Sequence, residues 1–281
     1  MAELAGSVAA GPGLGAQGRR ALVVATVAVI AAARLAEGTA VWAVAALLTA
    51  AILLGALQAI AAGDPEARVA GVPIESLFLP AVAGFAALGT LRLVPLGPAF
   101  VVALGAAALV LDRLLSLEAR LVAESRGPGE VDRTRVLVAA MVVAFFAFAG
   151  TAALVPGGLP EPGPGGTAAL GERELLLLAG VDALAAGLIG YRIAALRIST
   201  LRSALLSALT YAAVIAIGAA TLRAADIPRL VGPALLTLVF FLWDAFHALP
   251  SGRRRDARWY GQVALLLVLG AVVVVWNLGL R

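Results

Sequence analysis

The sequence predicts an all-α, polytopic integral membrane protein of about nine transmembrane helices, with eight as the fallback, built as two parallel four-helix repeats plus a ninth helix. Three observations carry this. Hydrophobic residues make up 62% of the 281 positions and charged residues 14%, against about half and about a quarter in a soluble domain. The apolar residues fall in runs near the roughly 20 residues that a helix needs to cross the hydrocarbon core. The linker between the third and fourth runs recurs between the seventh and eighth.

In order, the runs are Ala21 to Leu35, Thr39 to Ala62, Val69 to Leu91, Pro95 to Leu117, Val136 to Leu154, Leu175 to Leu196, Ser203 to Leu222, Leu230 to Leu249, and Trp259 to Leu280. The first is the weakest, with thirteen uncharged residues between Arg20 and Arg34; both arginines can snorkel to the headgroups and let it span. A cleaved signal peptide is the rival reading of that segment. Ala32-Ala33-Arg34 is a poor cleavage site, however, and the later spans anchor the chain regardless.

Orientation follows from the basic residues, because positive charge accumulates on the cytoplasmic side. All 21 are arginines. With the N-terminus inside, fifteen fall in cytoplasmic segments and six opposite. The reading is a multi-pass cell (inner or plasma) membrane protein, N-terminus in and C-terminus out. The net charge of +4 then means orientation and anionic-lipid contact. No aromatic-studded basic stretch suggests nucleic acid.

Little material lies outside the bilayer. Residues 1–18 are Ala- and Gly-rich and read as a disordered cytoplasmic tail. The first repeat covers 19–126 and the second 133–255, with a Pro/Gly-rich external loop at 155–171 that stays extended rather than packing a domain. Residues 256–281 form the ninth span. Within the first repeat, Leu111 to Arg126 interleaves charges at Asp112, Arg113, Glu118, Arg120 and Glu124 with leucines. It reads as an amphipathic stalk that leaves the membrane and stops at Gly127-Pro128-Gly129; Asp132 then caps the fifth span.

The repeat rests on the linkers. Gly89 to Ala99 reads Thr-Leu-Arg, a proline, then Gly-Pro-Ala. Thr221-Leu222-Arg223, Pro228 and Gly232-Pro233-Ala234 repeat the order with four extra residues. Setting Arg92 on Arg223 also sets Ser76 on Ser207, and Arg19-Arg20-Ala-Leu-Val-Val-Ala resembles Arg133-Thr-Arg135-Val-Leu-Val-Ala. An even number of spans between copies gives both halves one orientation, a parallel repeat about an axis along the membrane normal.

Ionisable residues at membrane depth are costly, so each is a functional hypothesis. Glu75, Asp182, Asp244 and His247 form the candidate intramembrane polar site. Asp244 and His247 are three residues apart, on one helix face, and suit a carboxylate–imidazole pair; His247 is also a conceivable single ligand to a porphyrin or metal. Ten residues turn a helix about 1000°, roughly 80° short of three turns, so Arg192 lies off the face of Asp182, whose partner must come from another helix or water. Asp112, Arg113 and Arg192 read as interfacial. Arg192, Arg197, Arg202, Arg253, Arg254 and Arg255 are candidate inner-face contacts for anionic lipid. Trp42, Trp259, Tyr260 and Trp276 belong to aromatic belts, and Gly270 suits helix packing.

Whole classes of chemistry drop out. Without lysine there is no Schiff base and no GK[ST] phosphate loop; without cysteine there is no disulfide, thiolate zinc site or iron–sulfur cluster. One histidine cannot supply paired axial haem ligands. HExxH, GxSxG, a loop DxxxD pair and DGxxAR are all missing, and Ser251 falls in the arginine-rich loop, so no catalytic residues or metal ligands are assigned and the cofactor stays unknown. The reading preferred is a non-enzymatic accessory or scaffold subunit of a larger membrane assembly, whose partners are membrane lipids and other membrane subunits or copies of itself. The alternative is a small secondary transporter with its site between the repeats. Third comes an enzyme acting on lipid or polyprenyl phosphate, with the inner arginines as phosphate clamps.

Overall fold

A computed structural model describes residues 13–63, 69, 71–123, 129–159, 170–198, 200–225, 227 and 231–247, with scattered helical residues between 260 and 275. Among these there is no strand. The helices are α1 (Gly13–Ala32), ending in a 3₁₀ turn (Ala33–Leu35); α2 (Thr39–Gly63); α3 (Glu75–Thr90), also ending in a 3₁₀ turn (Leu91–Leu93); α4 (Pro98–Ala123); α5 (Glu130–Leu154); α6 (Glu172–Ala195); α7 (Leu201–Ala224); and α8 (Val231–His247). Ala- and Leu-rich runs favour helix, and their punctuation is local. Gly38, at φ +56°, makes the left-handed turn into α2 that other residues disfavour. Pro98 opens α4 at the first helical position, where its missing N–H costs nothing.

Six described helices are long and apolar enough to cross a membrane: α2, α3 with its 3₁₀ extension, α4, α5, α6 and α7. The seventeen-residue α8 is a shorter apolar helix. The outward surface agrees with this reading, since Leu47, Leu54, Val101, Val102, Leu176, Leu184, Leu209 and Ile217 are all exposed. In water such a surface is an aggregation liability; in lipid it is a solvent match. On α2, burial is confined to Val41, Ala45, Leu48, Ile52, Ala56 and Ile60, one stripe at helical spacing, with lipid-compatible residues around the rest.

Each helix of the first half packs on the next, and α4 returns to α1; likewise α5 to α6, α6 to α7, α7 to α8, and α8 back to α5. The halves meet where α3 lies against α5 and α6. Central α3 buries Ser76, Leu77 and most residues from Leu79 to Gly89. Its closest approach to α5 is backbone on backbone. A Cβ on Gly89 would sit 2.5 Å from Gly150 Cα, so both positions require glycine, as small residues permit close helix contact in membranes. A leucine-, alanine- and phenylalanine-lined core spans α3 and α5 to α8, with Phe148, Ile189, Ile215 and Phe240 fully buried. Two further clusters fill the first half, around Ile52, Leu88 and Phe100 at one end and Leu77, Leu111 and Leu115 at the other.

Three expectations change here. Residues 13–18 are the first turns of α1 rather than tail, because Gly15 fits directly against Gly63 of α2, where a Cβ would meet Gly63 Cα at 2.8 Å. The stretch after Leu111 does not project as a stalk. Its face of Leu111, Leu114, Leu115, Leu117 and Glu118 is buried against the bundle; the amphipathic pattern reported a packing face. The fifth span begins at Glu130, with Gly129 as the extended N-cap, so Asp132 falls inside the first turn and pairs with Arg135 (2.9 Å) instead of capping. Arg126, Gly127 and Pro128, most of the external loop (160–169), Ser251, Arg253, Arg254, Arg255, Trp259 and Trp276 lie outside the described residues.

Candidate polar sites in the bundle

Besides the Arg19–Asp112 pair between α1 and α4 (2.8 Å), four sets of charged groups stand out between helices among the described residues. At the end of the bundle that carries Arg19 and Arg197 (the arginine-rich end), Arg192 of α6 donates from Nε to Glu118 Oε1 (3.0 Å) and from Nη2 to Oε2 (2.6 Å). Both side chains are buried, Glu118 completely. This two-point fork suits the planar guanidinium, and it clamps α4 of the first half to α6 of the second. Glu75, half-buried in the first turn of α3, faces Glu118 and Tyr191 electrostatically, while Phe78 meets Tyr191 edge-on at 5.7 Å. Arg192 is therefore committed inside the protein rather than to a lipid headgroup.

The second set joins α6, α7 and α8. Arg197, just past α6, donates to both carboxylate oxygens of Asp244 (2.8 and 3.0 Å). The Tyr211 hydroxyl donates to Asp244 Oδ1 at 2.7 Å. Gly190 makes room for this ring, since a Cβ there would lie 2.6 Å from Tyr211 Cγ. Asp244 thus pairs with Arg197 and Tyr211, not with His247. His247 is exposed at the end of α8, its ring tilted 40° against Trp243 at 4.4 Å, with Nδ1 2.9 Å from the Trp243 carbonyl. Helical spacing allowed the Asp–His contact; an arginine that can reach both carboxylate oxygens makes the stronger bond.

Asp182 is the third. It is buried on α6, beside Thr151 of α5, and its Oδ1 has no hydrogen-bond partner. The Thr151 hydroxyl donates to the Ala147 carbonyl at 2.9 Å, and a hydroxyl has only one proton to give. Asp182 borders a cavity of about 40 Å³, which Arg223 at the end of α7 also lines, with Phe148, Leu178 and Leu236. That exceeds the roughly 10–15 Å³ one water needs. Neither Glu75 nor Asp244 lines it.

The fourth set lies at the opposite end. Arg34, in the turn after α1, donates to the carbonyls of Arg92 (2.6 Å) and Val94 (3.0 Å) and sits 5.4 Å from the Phe100 ring centre. Arg92, in the turn after α3, donates to the carbonyls of Ala33 (2.9 Å) and Ala36 (3.2 Å). Each arginine satisfies the orphan carbonyls of the other's helix end.

No known protein family, curated protein or solved structure matches this chain.

The chemistry must therefore be read from these groups alone. Among the described residues no cluster of three or more His, Asp or Glu side chains could hold a metal ion. Glu118 pairs with Arg192 and Glu75 lies within electrostatic range of Glu118, whereas Asp182, Asp244 and His247 stand in separate environments. Arg202 is exposed at the start of α7. Sequence reasoning missed Glu118 as a buried group, and its signal was available: it follows Leu114, Leu115 and Leu117 on the apolar side of its helix. It also missed Tyr211 and the Arg34–Arg92 exchange, whose only signal was an arginine just beyond two neighbouring helix ends.

Proposed function

We propose that the protein is a non-catalytic membrane subunit, a rigid helical scaffold for a larger membrane assembly. The observation that carries this is the separation of its buried ionisable groups. Glu118 is spent on Arg192 and Asp244 on Arg197 and Tyr211, each pair bridging helices, and the cavity beside Asp182 is small and bordered by neither. Buried, mutually paired charges pin helices in place; a transport path needs ionisable groups that face a shared aqueous route. The lipid-compatible lateral faces of α2, α4 and α7 are the surface left for partner subunits. Extraction from the native membrane in a gentle amphipol, followed by native mass measurement, tests it: a stoichiometric companion polypeptide is expected, and a lone 28.3 kDa chain contradicts it.

One observation favours the second reading, a small secondary transporter: Asp182, one of whose carboxylate oxygens has no hydrogen-bond partner, borders a cavity that Arg223 also lines. Uptake into liposomes that is abolished by Asp182→Asn supports transport, and uptake indifferent to it does not. The lipid-phosphate enzyme requires Arg192 and Arg197 around a common cavity, and both guanidiniums are engaged elsewhere.

The finer architecture belongs to the same proposal. Nine spans result when α1, α8 and the stretch from Trp259 to Leu280 also cross, and the parallel duplication is supported by the matching order of helix neighbours in the two halves and by arginines at equivalent helix ends, Arg92 and Arg223. The N-terminus lies in the cytoplasm on the strength of the arginine distribution.

A further inference from the structure

Helices that follow one another in a chain usually pack together, yet α4 and α5 barely touch. The gap between them, walled on its other sides by α1 and α3, is a cavity of about 380 Å³. Its walls are almost wholly apolar, including Ile30, Val110, Val142 and Phe146. Val110, Val142 and Phe146 remain exposed there. At the arginine-rich end of three of these helices a second recess, about 610 Å³, is lined by Arg19 of α1, Arg113 and Arg120 of α4 and Arg135 of α5, with Ser116 among them.

Helical spacing makes the two recesses one groove. On α4, Ala103, Ala106 and Val110 of the apolar part continue through Arg113, Leu117 and Arg120 of the basic part at alternating steps of three and four residues, a single helix face. Arg19 lies two turns before Thr26 on α1, and Arg135 two turns before Val142 on α5, again one face each. Three helices therefore each present an arginine at the membrane surface above an apolar strip. Asp112 pairs with Arg19 and Asp132 with Arg135, but Arg113 and Arg120 have no carboxylate partner among the described residues.

We propose that this groove is a binding site for an anionic phospholipid of the adjoining leaflet, its phosphate held by Arg113 and Arg120 with Arg19 and Arg135 at the sides, and one acyl chain lying between α4 and α5. The chemistry fits on both counts. Guanidinium forks match phosphate oxygens, basic recesses between membrane helices hold lipid headgroups, and a lined volume of this size falls within the range of small-molecule sites, about 300–1,000 Å³. A partner helix would fill the apolar part but leave the arginine mouth unanswered.

The test uses the full chain, delipidated in detergent and titrated with phosphatidylglycerol or phosphatidylcholine, bound lipid being counted by native mass spectrometry. The wild type retains phosphatidylglycerol in preference to phosphatidylcholine. Arg113→Gln/Arg120→Gln weakens retention by about 30-fold, the worth of two arginines facing an anionic lipid at about 1 kcal/mol each. Ala106→Trp, which fills the exposed apolar part without touching the arginines, also displaces it. All three side chains are exposed, so unchanged melting temperatures certify the fold. Equal retention of both lipids, or no effect of the double arginine variant, overturns the site; so does retention indifferent to Ala106→Trp, which reduces it to a headgroup contact, and so does displacement by glycerol 3-phosphate as effective as by the intact lipid.

Discussion

At the scale of single residues, charge placement decides what is rigid. Glu118 and Arg192 are both buried, so removing one leaves the other buried and unpaired. Arg192→Leu alone is expected to cost about 3–5 kcal/mol, whereas replacing both groups with apolar residues of similar volume approaches neutrality; thermal unfolding of the single variants and of Glu118→Leu/Arg192→Leu, in one detergent, reads the difference. A double variant no more stable than the singles contradicts the pairing. Asp244 and His247 make a second contrast. Asp244→Asn removes charge from a carboxylate that receives Arg197 and Tyr211 and lowers stability by about 1–3 kcal/mol, while His247→Ala, at an exposed position, stays within about 0.5 kcal/mol. From sequence, Asp244 was legible as a polar group at depth, but Glu118 read as part of a stalk and Arg192 as interfacial, and the true partners of none of them were legible. Spacing along one helix exposes only partners on that helix, and here each comes from elsewhere: Arg192 from α6 for Glu118 of α4, Arg197 and Tyr211 for Asp244 of α8.

Among the elements, small residues set how closely the halves approach. Gly89 and Gly150 bring α3 and α5 into backbone contact. Gly89→Ala forces the helices apart and is expected to destabilise by about 1–3 kcal/mol, as overpacking does. Gly180→Ala, at a position with open space around it, is neutral or gains up to about 1 kcal/mol from helix propensity; melting temperatures of the two variants check the pair. The helices themselves were largely legible, because apolar runs of spanning length are a strong signal, although the fourth run was set to begin at Pro95 and its helix begins at Pro98. The start of α1 was not, because Gly13 to Gly18 is helical through its fit against α2, a tertiary cause that local composition does not carry. The same holds for the end of α4. Its alternation of leucines and charges is compatible with a projecting stalk or a packed face, and only the neighbours of Leu111 and Leu115 decide. The two helices whose following linkers match, α3 and α7, also differ in packing: α3 is mostly buried at the centre while α7 has much of its surface outward.

For the whole molecule, the account is of a closed helical bundle in lipid, pinned by interhelical charge pairs and offering its sides to partners. Its chain is well suited to test this, because it contains no cysteine and any introduced thiol is unique. Single cysteines at 19 and 34 should react with a membrane-impermeant maleimide from opposite sides of oriented vesicles, position 19 from the cytoplasmic side; labelling of both from one side contradicts the crossing of α1. The most direct test of the closed bundle places cysteines at Ala144, Ala147, Ala186 and Ile189, all at 0% exposure in the core shared by α5 and α6. The account predicts that none of them reacts with the impermeant reagent from either side until the protein is unfolded. Reaction at any of them in the native membrane reveals water entering the core, which contradicts the scaffold and favours a transport path.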